Sequence, residues 1–312
     1  MRCGPEGVPQ LKRAIRLAIP FIVAALVASA CGGAGTGGTK PAITIGSTNF
    51  SEQLVLGELY SQILETNGYA VTRKFNLGAR EIVFPALQSG QIDLEADYLA
   101  TLLAFVDKTA TGSTDPKLTF STLQKALTSR AVTVLDYAPA VDQNGFVVTK
   151  ATADKLKLAK LSDLAPVGNQ LVLGGPAECP NREFCALGLK SKYGITFKDF
   201  KALDTGGPLT VQALVGGQID VGLLFTSDAT IAVRGFVLLE DDKQLQLSDN
   251  VAPVVRNDYL TKAGDDFKKL INSIAPKLTT AELTGMNKLV EVDKQDPKDV
   301  AKAWLKKVGL IK

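Results

Sequence analysis

Short apolar runs alternate with stretches of helical spacing along the first part of the chain. In the first helical stretch, Asn49 or Ser51 is predicted to cap the start and Gly68 to close the end. The elements predicted from this alternation are strands at 42–46, 71–77 and 92–94 and helices over 54–64 and 80–88. Strands that alternate with helices favour an α/β fold with parallel strand pairing.

An internal repeat relates two parts of the chain. The pattern Ala-Leu, then Gly-Gln-Ile-Asp after a short gap, occurs at 86–93 and again at 213–220. In both copies a helix is predicted to end at the glycine, and an apolar strand follows at once. Each strand should deliver the residues after it, 95–101 and 224–228, to the carboxyl edge of its sheet, where α/β proteins bind ligands. The repeat therefore predicts two similar lobes.

The chain is predicted to cross twice between these lobes. A polar stretch at 137–145 follows a predicted strand and precedes a new apolar run, and a return crossing fits near 248–255. The last 55 or so residues are helical in pattern and should fold back on the first lobe. Two crossings form a hinge with a cleft that can close on a ligand. The predicted boundaries are 42–142 plus 253–312 for lobe 1 and 143–252 for lobe 2.

Residues 1–30 form a predicted secretory signal. An apolar run at 17–27, which is short for a membrane span of about 20 residues, follows a basic region and leads through small residues to Cys31. This order resembles a bacterial lipobox and predicts a lipidated Cys31 on the extracytoplasmic face of the cell membrane. An ordinary signal peptide with an incidental cysteine is the alternative. The Gly-rich residues that follow, up to 41, predict a flexible tether.

Composition narrows the possible functions. The chain has 46% hydrophobic residues and a formal charge of +3, which allows real cores and gives no nucleic-acid signature. It contains no histidine, the commonest general base and a usual zinc ligand. We therefore expect no enzyme activity, no metal and no cofactor. A hydrolase or lyase acting through Asp93, Asp97 or Asp228 is the alternative on this point.

Two cysteines lie close together in the sequence CPNREFC. In an oxidising compartment Cys179 and Cys185 are predicted to form a local disulfide, with two free thiols as the alternative. A zinc site would need further ligands nearby, and the sequence around the pair offers no histidine or additional cysteine.

An ordered set of strings carries a family likeness. The strings are GSTNFSEQLVLGELYSQ (46–62), NLGAREIVFPALQSGQIDL (76–94), GGPAECPNREFCALGL (174–189), LLFTSD (223–228), LEDDKQLQ (239–246) and APVVR (252–256). Together they resemble the osmoprotectant-binding proteins of ABC importers. The resemblance implies a type II periplasmic-binding fold with glycine betaine, choline or carnitine bound between two lobes. It also implies a permease and a cytoplasmic ATPase as partners, and we expect a monomer.

The resemblance also implies binding residues. In that family aromatic faces hold a trimethylammonium group by cation–π contact and polar groups hold the tail. The family string EYTGT corresponds to residues 97–101 here, so Tyr98 matches a cage tyrosine and Thr101 a tail-binding threonine. The ligand-binding residues predicted in this way and from their positions at strand and helix ends are Thr48, Asn49, Gln53, Arg80, Tyr98, Thr101, Asn144, Phe225, Thr226 and Asp228. Arg80 could pair with a ligand carboxylate, with a solvated surface arginine as the alternative.

The predicted cage departs from the family pattern. Phe225 keeps a ring without its hydroxyl, whereas Gly145 and Val211 stand where cage tyrosines are expected. Each ring over a desolvated cation contributes on the order of 0.5–2 kcal/mol, so glycine betaine binding should be weak. The ligand could instead be more polar, hydroxylated or aromatic. A ligand-sensing or adhesive lipoprotein that uses the same cleft is the alternative function.

Overall fold

The computed structural model describes residues 40–312. The predicted signal segment, Cys31 and nearly all of the tether lie outside the described residues. Within 40–312, no helix has both the length and the apolar character that crossing a bilayer requires.

The first lobe is built mostly from the N-terminal part of the described chain. Its first elements are β1 (Ile43–Gly46), α1 (Ser51–Thr66), β2 (Val71–Lys74), α2 (Arg80–Gln88), β3 (Leu94–Tyr98), α3 (Leu99–Val106), α4 (Pro116–Leu127) and β4 (Val132–Val134).

The chain then crosses to the second lobe and returns. The second lobe contains β5 (Asn144–Val148), α5 (Lys150–Leu156), β6 (Val172–Pro176), α6 (Ala186–Tyr193), β7 (Asp199–Leu203), α7 (Pro208–Val215), β8 (Val221–Phe225), α8 (Thr230–Arg234) and β9 (Val237–Leu238). The returning segment contributes β10 (Val251–Arg256), α9 (Asn257–Asn272), α10 (Thr280–Glu291) and α11 (Pro297–Lys307) to the first lobe.

Each lobe has one mixed five-stranded sheet. The strand orders are β2-β1-β3-β10-β4 and β7-β6-β8-β5-β9. The first three strands of each order are parallel, as predicted, but β10 and β5 run antiparallel to both of their neighbours. These two are the strands that begin directly after a crossing, so the change of direction follows from the chain entering each sheet from the other lobe. The predicted two-lobed α/β fold is confirmed.

The repeat has the same geometry in both lobes. The Asp93 carboxylate accepts the N–H of Thr44 at 2.9 Å, and the Asp220 carboxylate accepts the N–H of Val172 at 2.8 Å. In return the Asp93 N–H donates to the Thr44 carbonyl at 2.7 Å and the Asp220 N–H to the Val172 carbonyl at 2.9 Å. Both aspartates therefore fix the entry of a central strand next to its neighbour, which is a structural role.

Several predicted boundaries are wrong. The strand β2 ends at Lys74 rather than 77, because Asn76 takes a left-handed φ of 57°. The strand β3 begins at Leu94 and continues through LEADY, whose buried charges no apolar pattern would indicate. The N-cap of α1 is Phe50 and makes no side-chain cap, in place of Asn49 or Ser51.

The return crossing also ends slightly earlier than expected. Val251 and Ala252 already pair with Tyr98 and Asp97 of the first sheet, ahead of the predicted boundary at 253.

Helices cover both faces of the first sheet. One face packs against α1 and the C-terminal helices α9 to α11, and the other against α2 to α4. Phe267, Ile271, Ile274 and Leu278 of the C-terminal region are buried in the first of these clusters, as expected for a segment that folds back on lobe 1. Trp304, the only tryptophan of the chain, is buried with them.

Candidate ligand-binding site

A cleft of about 390 Å³ lies where the two sheets face each other across the crossing segments. This volume lies within the range of small-molecule sites, roughly 300–1,000 Å³. First-lobe residues on its wall are Thr48, Asn49, Phe50, Gln53, Ala79, Arg80, Glu81, Asp97, Tyr98, Thr101, Ala104, Phe105 and Lys108. The crossing segments add Asp142 and Asp249, and the second lobe adds Asn144, Glu178, Asn181, Arg182, Glu183, Phe184, Thr205 and Phe225.

A buried ion pair forms part of the first-lobe wall. Nε of Arg80 donates to both carboxylate oxygens of Asp97, at 3.1 and 2.9 Å, and Nη2 donates to Thr101 Oγ1 at 2.8 Å. Burial acts to lower the pKa of the Arg80 guanidinium, but the charge of Asp97 and the hydrogen bonds to it outweigh burial and raise that pKa. The Arg80 guanidinium, which was a candidate to hold a ligand carboxylate, is thus largely engaged by Asp97 and Thr101. This contact forms because β3 ends beside the start of α2.

Glu52 joins the two lobes behind the cleft. Its carboxylate accepts hydrogen bonds from Tyr98 OH, Ser227 Oγ and Asn287 Nδ2, each at 2.6 Å. Burial raises the pKa of Glu52, and burial together with Glu52 raises the pKa of Tyr98. Since Ser227 follows β8, this carboxylate ties the end of a second-lobe strand to a first-lobe helix.

The Tyr98 hydroxyl is fully used within this network. It donates to Glu52 and accepts from Gln53 Nε2 at 3.1 Å. What Tyr98 contributes to the cleft is therefore its ring.

Three aromatic rings from both lobes meet at the cleft. The ring of Phe50 stacks on that of Phe225, with centroids 4.8 Å apart, and its centroid lies 6.4 Å from that of Tyr98. Phe50 was missed by sequence reasoning, which treated the region before α1 only as a source of caps and polar contacts. An aromatic residue directly before a helix at the predicted ligand edge was the available signal.

Buried carboxylates lie at the base of the cleft, one on each crossing segment. Asp142 and Asp249 are 4% and 1% exposed, and the N–H of Asp142 donates to the carbonyl of Asp249 at 3.0 Å. Burial raises the pKa of Asp249 to about 7 and raises that of Asp142 well above its ordinary value. Sequence reasoning missed both residues.

Eight of the ten predicted ligand-binding residues line the cleft, and two do not. The eight are Thr48, Asn49, Gln53, Arg80, Tyr98, Thr101, Asn144 and Phe225. The chain turns back after β8, where the N–H of Asp228 donates to the carbonyl of Phe225 at 3.0 Å. Thr226 consequently bonds to Gln143 of the crossing segment, and the Asp228 carboxylate accepts the N–H of Thr230. Gly145 and Val211 do not line the cleft either.

A disulfide shapes the second-lobe rim. Cys179 and Cys185 are bonded, as predicted, with Cα atoms 5.3 Å apart. Four of the five residues between them line the cleft. Nη2 of Arg182, in this loop, donates to Glu81 of α2 at 2.8 Å, which forms an ion pair across the mouth between the lobes.

Two α/β lobes, two crossing segments and a cleft between them define a type II periplasmic binding protein. Residues 41–307 match the family described as the substrate-binding domain of the ABC-type glycine betaine transport system, and the chain belongs to this family. Its members bind small molecules and act with an ABC permease. The chain is therefore an extracytoplasmic substrate-binding protein of an ABC importer and not an enzyme.

Individual relatives differ in their named ligands. The chain is 28% identical over 293 residues to the carnitine transport binding protein OpuCC of Listeria monocytogenes, covering 92% of this chain and 94% of the relative. It is 27% identical over 274 residues to the ergothioneine transport permease/ergothioneine binding protein EgtU of Helicobacter pylori, covering 87% of this chain. The chain spans about half (48%) of that longer relative.

A solved structure supports the same architecture. The crystal structure of a glycine betaine/carnitine/choline ABC transporter superposes with a TM-score of 0.67 at 28% identity. The superposition covers 86% of this chain and 99% of the other.

Proposed function

We propose that this protein captures a small cationic solute of the osmoprotectant type between its lobes and delivers it to an ABC permease driven by a cytoplasmic ATPase. The observation that carries the proposal is the group of three rings, Phe50, Tyr98 and Phe225, which both lobes bring to one cleft. Aromatic faces attract an ammonium group most strongly where water is excluded. A cage assembled from two lobes is complete only when they are close together, so the bound solute favours closure.

The polar residues of the cleft have proposed roles around this cage. Thr48, Asn49 and Asn144 offer hydroxyl or amide groups to the polar end of the solute. Thr101, which accepts a hydrogen bond from Arg80, helps to position that end. Thr226 and Asp228 act indirectly, because they hold the turn that follows Phe225.

The direct test is calorimetric titration with glycine betaine, carnitine, choline and ergothioneine, the first three from the family class and the last from a named relative. We expect weak binding of glycine betaine, because carboxylates outnumber cationic side chains in the cleft and its own carboxylate is repelled. A low-micromolar dissociation constant for glycine betaine would refute this expectation. Failure of every solute to bind would refute the proposed function.

Anchoring and delivery are tested in cells. We propose that Cys31 is lipidated and that the protein acts as a monomer at the outer face of the cell membrane. A Cys31→Ser variant should leave the membrane fraction. Deleting the gene should abolish uptake of the bound solute, whereas unchanged uptake would favour a sensing or adhesive role.

A further inference from the structure

The base of the cleft presents oxygen acceptors that the protein leaves without a partner. Gln53 is 1% exposed, and its Oε1 has no hydrogen-bond partner among residues 40–312. Its Nε2 is fixed by donation to Tyr98 OH, so Oε1 is the free end of the amide. Because Gln53 lines the cleft, the wall at this point holds an amide oxygen whose acceptor capacity the described residues do not use.

Each of the two crossing segments adds a carboxyl group at the base of the cleft. Oδ1 of Asp142 accepts the N–H of Ser227 at 2.9 Å, and Oδ1 of Asp249 accepts the N–H of Thr101 at 2.8 Å. In each carboxylate the second oxygen, Oδ2, makes no hydrogen bond within the described part of the chain. Both side chains are buried and both line the cleft.

Few positive charges lie near these two carboxyls at the bottom of the cleft. Arg80 is the cation that faces Asp249, and its guanidinium is already held by Asp97. Asp142 lies next to Asp249 through the backbone hydrogen bond between them, and neither carboxyl forms an ion pair within residues 40–312. A cation that enters at this point favours the ionised form of both carboxyls, whose oxygens are then acceptors for its N–H groups.

We infer that the base of the cleft selects a cation that carries at least one N–H donor, a protonated amine, over a fully methylated ammonium of the same size. The inference rests on the proposed function and narrows its solute class. A buried acceptor that remains unpaired costs free energy, whereas a charge-assisted hydrogen bond to it is favourable. A trimethylammonium group offers no N–H and leaves Gln53, Asp142 and Asp249 unsatisfied.

The rings explain why some methyl groups remain acceptable. Phe50, Tyr98 and Phe225 line the cleft and offer it aromatic surface that suits N-methyl groups of the same cation. A tertiary amine can place its methyl groups against the rings and its single N–H toward the carboxylates. We therefore expect a dimethylated amine to bind best in a methylation series.

The test uses ethanolamine, N-methylethanolamine, N,N-dimethylethanolamine and choline, which share a skeleton and a hydroxyl and are all cationic near neutral pH. We expect N,N-dimethylethanolamine to bind about tenfold more tightly than choline by calorimetric titration. Choline that binds within about threefold of the tertiary amine, or more tightly, would overturn the inference. So would the failure of every amine to bind.

Isosteric variants test whether the preference for the tertiary amine over choline comes from the two crossing segments. Asp142→Asn and Asp249→Asn keep an oxygen for the N–H of Ser227 or Thr101 but remove the charge, and each should reduce the preference to within about threefold. Asp154→Asn, a matched change at a side chain that is 63% exposed, should leave it intact. A preference that survives both cleft variants would overturn the inference. If choline or carnitine binds while the tertiary amine does not, the inference fails and the proposed function stands.

Discussion

The two lobes share a framework but contribute different chemistry to the cleft. Both contain the repeat that ends at Asp93 or Asp220, and both hold that aspartate against a neighbouring strand in the same way. Beyond it, β3 continues as LEADY with two buried acids, whereas β8 continues as VGLLF. The first lobe therefore supplies a buried ion pair, and the second supplies a ring and the arginine of the ion pair at the rim.

This difference separates the position of the site from its chemistry. The repeated helix–glycine–strand unit fixes where each strand ends, and hence where a cleft can form. The residues that follow the repeat differ between the lobes, and those of them in β3 and β8 that line the cleft are Asp97, Tyr98 and Phe225. Similarity between the lobes thus predicts the location of binding and not its specificity.

The largest expected difference between the lobes concerns their arginines. Arg80→Met should lower the free energy of unfolding by about 3–5 kcal/mol, because it leaves the Asp97 charge buried without a partner. Arg182→Met should cost at most about 1 kcal/mol, since its pair with Glu81 is exposed. The side chains are 10% and 4% exposed in the first pair and 30% and 43% in the second. Urea unfolding followed by Trp304 fluorescence measures the free energy of unfolding of both variants. Equal losses in the two variants would contradict the expected difference between the lobes.

The repeat itself predicts equal effects in the two lobes. A Cβ added at Gly46 would lie 2.4 Å from Ile92 Cδ1, and one added at Gly174 would lie 2.5 Å from Ile219 Cδ1. Gly46→Ala and Gly174→Ala should each lower the free energy of unfolding by about 1–3 kcal/mol, because the added Cβ overpacks the core. Gly285→Ala, where a Cβ meets nothing within 4 Å in α10, is the control and should not destabilise. A large cost in one lobe alone would show that the two copies are not equivalent.

Ligand affinity should depend on pH through the crossing segments. Burial raises the pKa of Asp249 to about 7, so below that pH the free protein holds a proton there that a bound cation must displace. Affinity for a cation should therefore rise with pH up to about 7 through Asp249, by at most about tenfold per pH unit, and the raised pKa of Asp142 adds to this rise.

Asp249→Asn supplies the control for this pH dependence. Calorimetric titration of choline or its tertiary amine between mildly acidic and mildly basic pH should show a flatter profile in the variant. Affinity that falls as pH rises through this window would contradict the assignment.

The smallest effect is expected from the rings, and it should be shared between the lobes. Phe50→Leu and Phe225→Leu each remove one aromatic face and should weaken cation binding by about 0.5–2 kcal/mol. Phe225→Tyr keeps a ring and should bind as the unmodified protein does. Titration with the best-binding cation measures all three variants. Loss of affinity for Phe225→Leu alone would mean that the cage belongs to one lobe.

The framework was largely predictable from sequence because it depends on local patterns. The glycine that ends a helix and the apolar strand after it are neighbours in the chain, so the repeat identified both lobes. The range of β3 was not predictable from apolar periodicity, since Glu95 and Asp97 are buried inside it. Asp97 is paired there with Arg80, which a single-sequence pattern does not connect to it.

The cleft was less predictable because its parts come from distant segments. The role of Phe50 appears only once Phe225 is placed against it. Asp142 and Asp249 lie in polar stretches that resemble ordinary linkers, and only the paired crossing makes them neighbours. Thr226 and Asp228 were predicted to line the cleft because strand ends usually do, but a tight turn after Phe225 takes them away from it.

The junction at Glu52 has a mechanical consequence. Ser227 of the second lobe and Asn287 of α10 bond to the same carboxylate, so a rotation of one lobe about this junction would move atoms close to it very little. The pair between Arg182 and Glu81 lies at the mouth, farther from this junction. Any rotation of one lobe against the other is therefore amplified there, and probes attached to α2 and to the disulfide loop will register a displacement that probes near Ser227 will not.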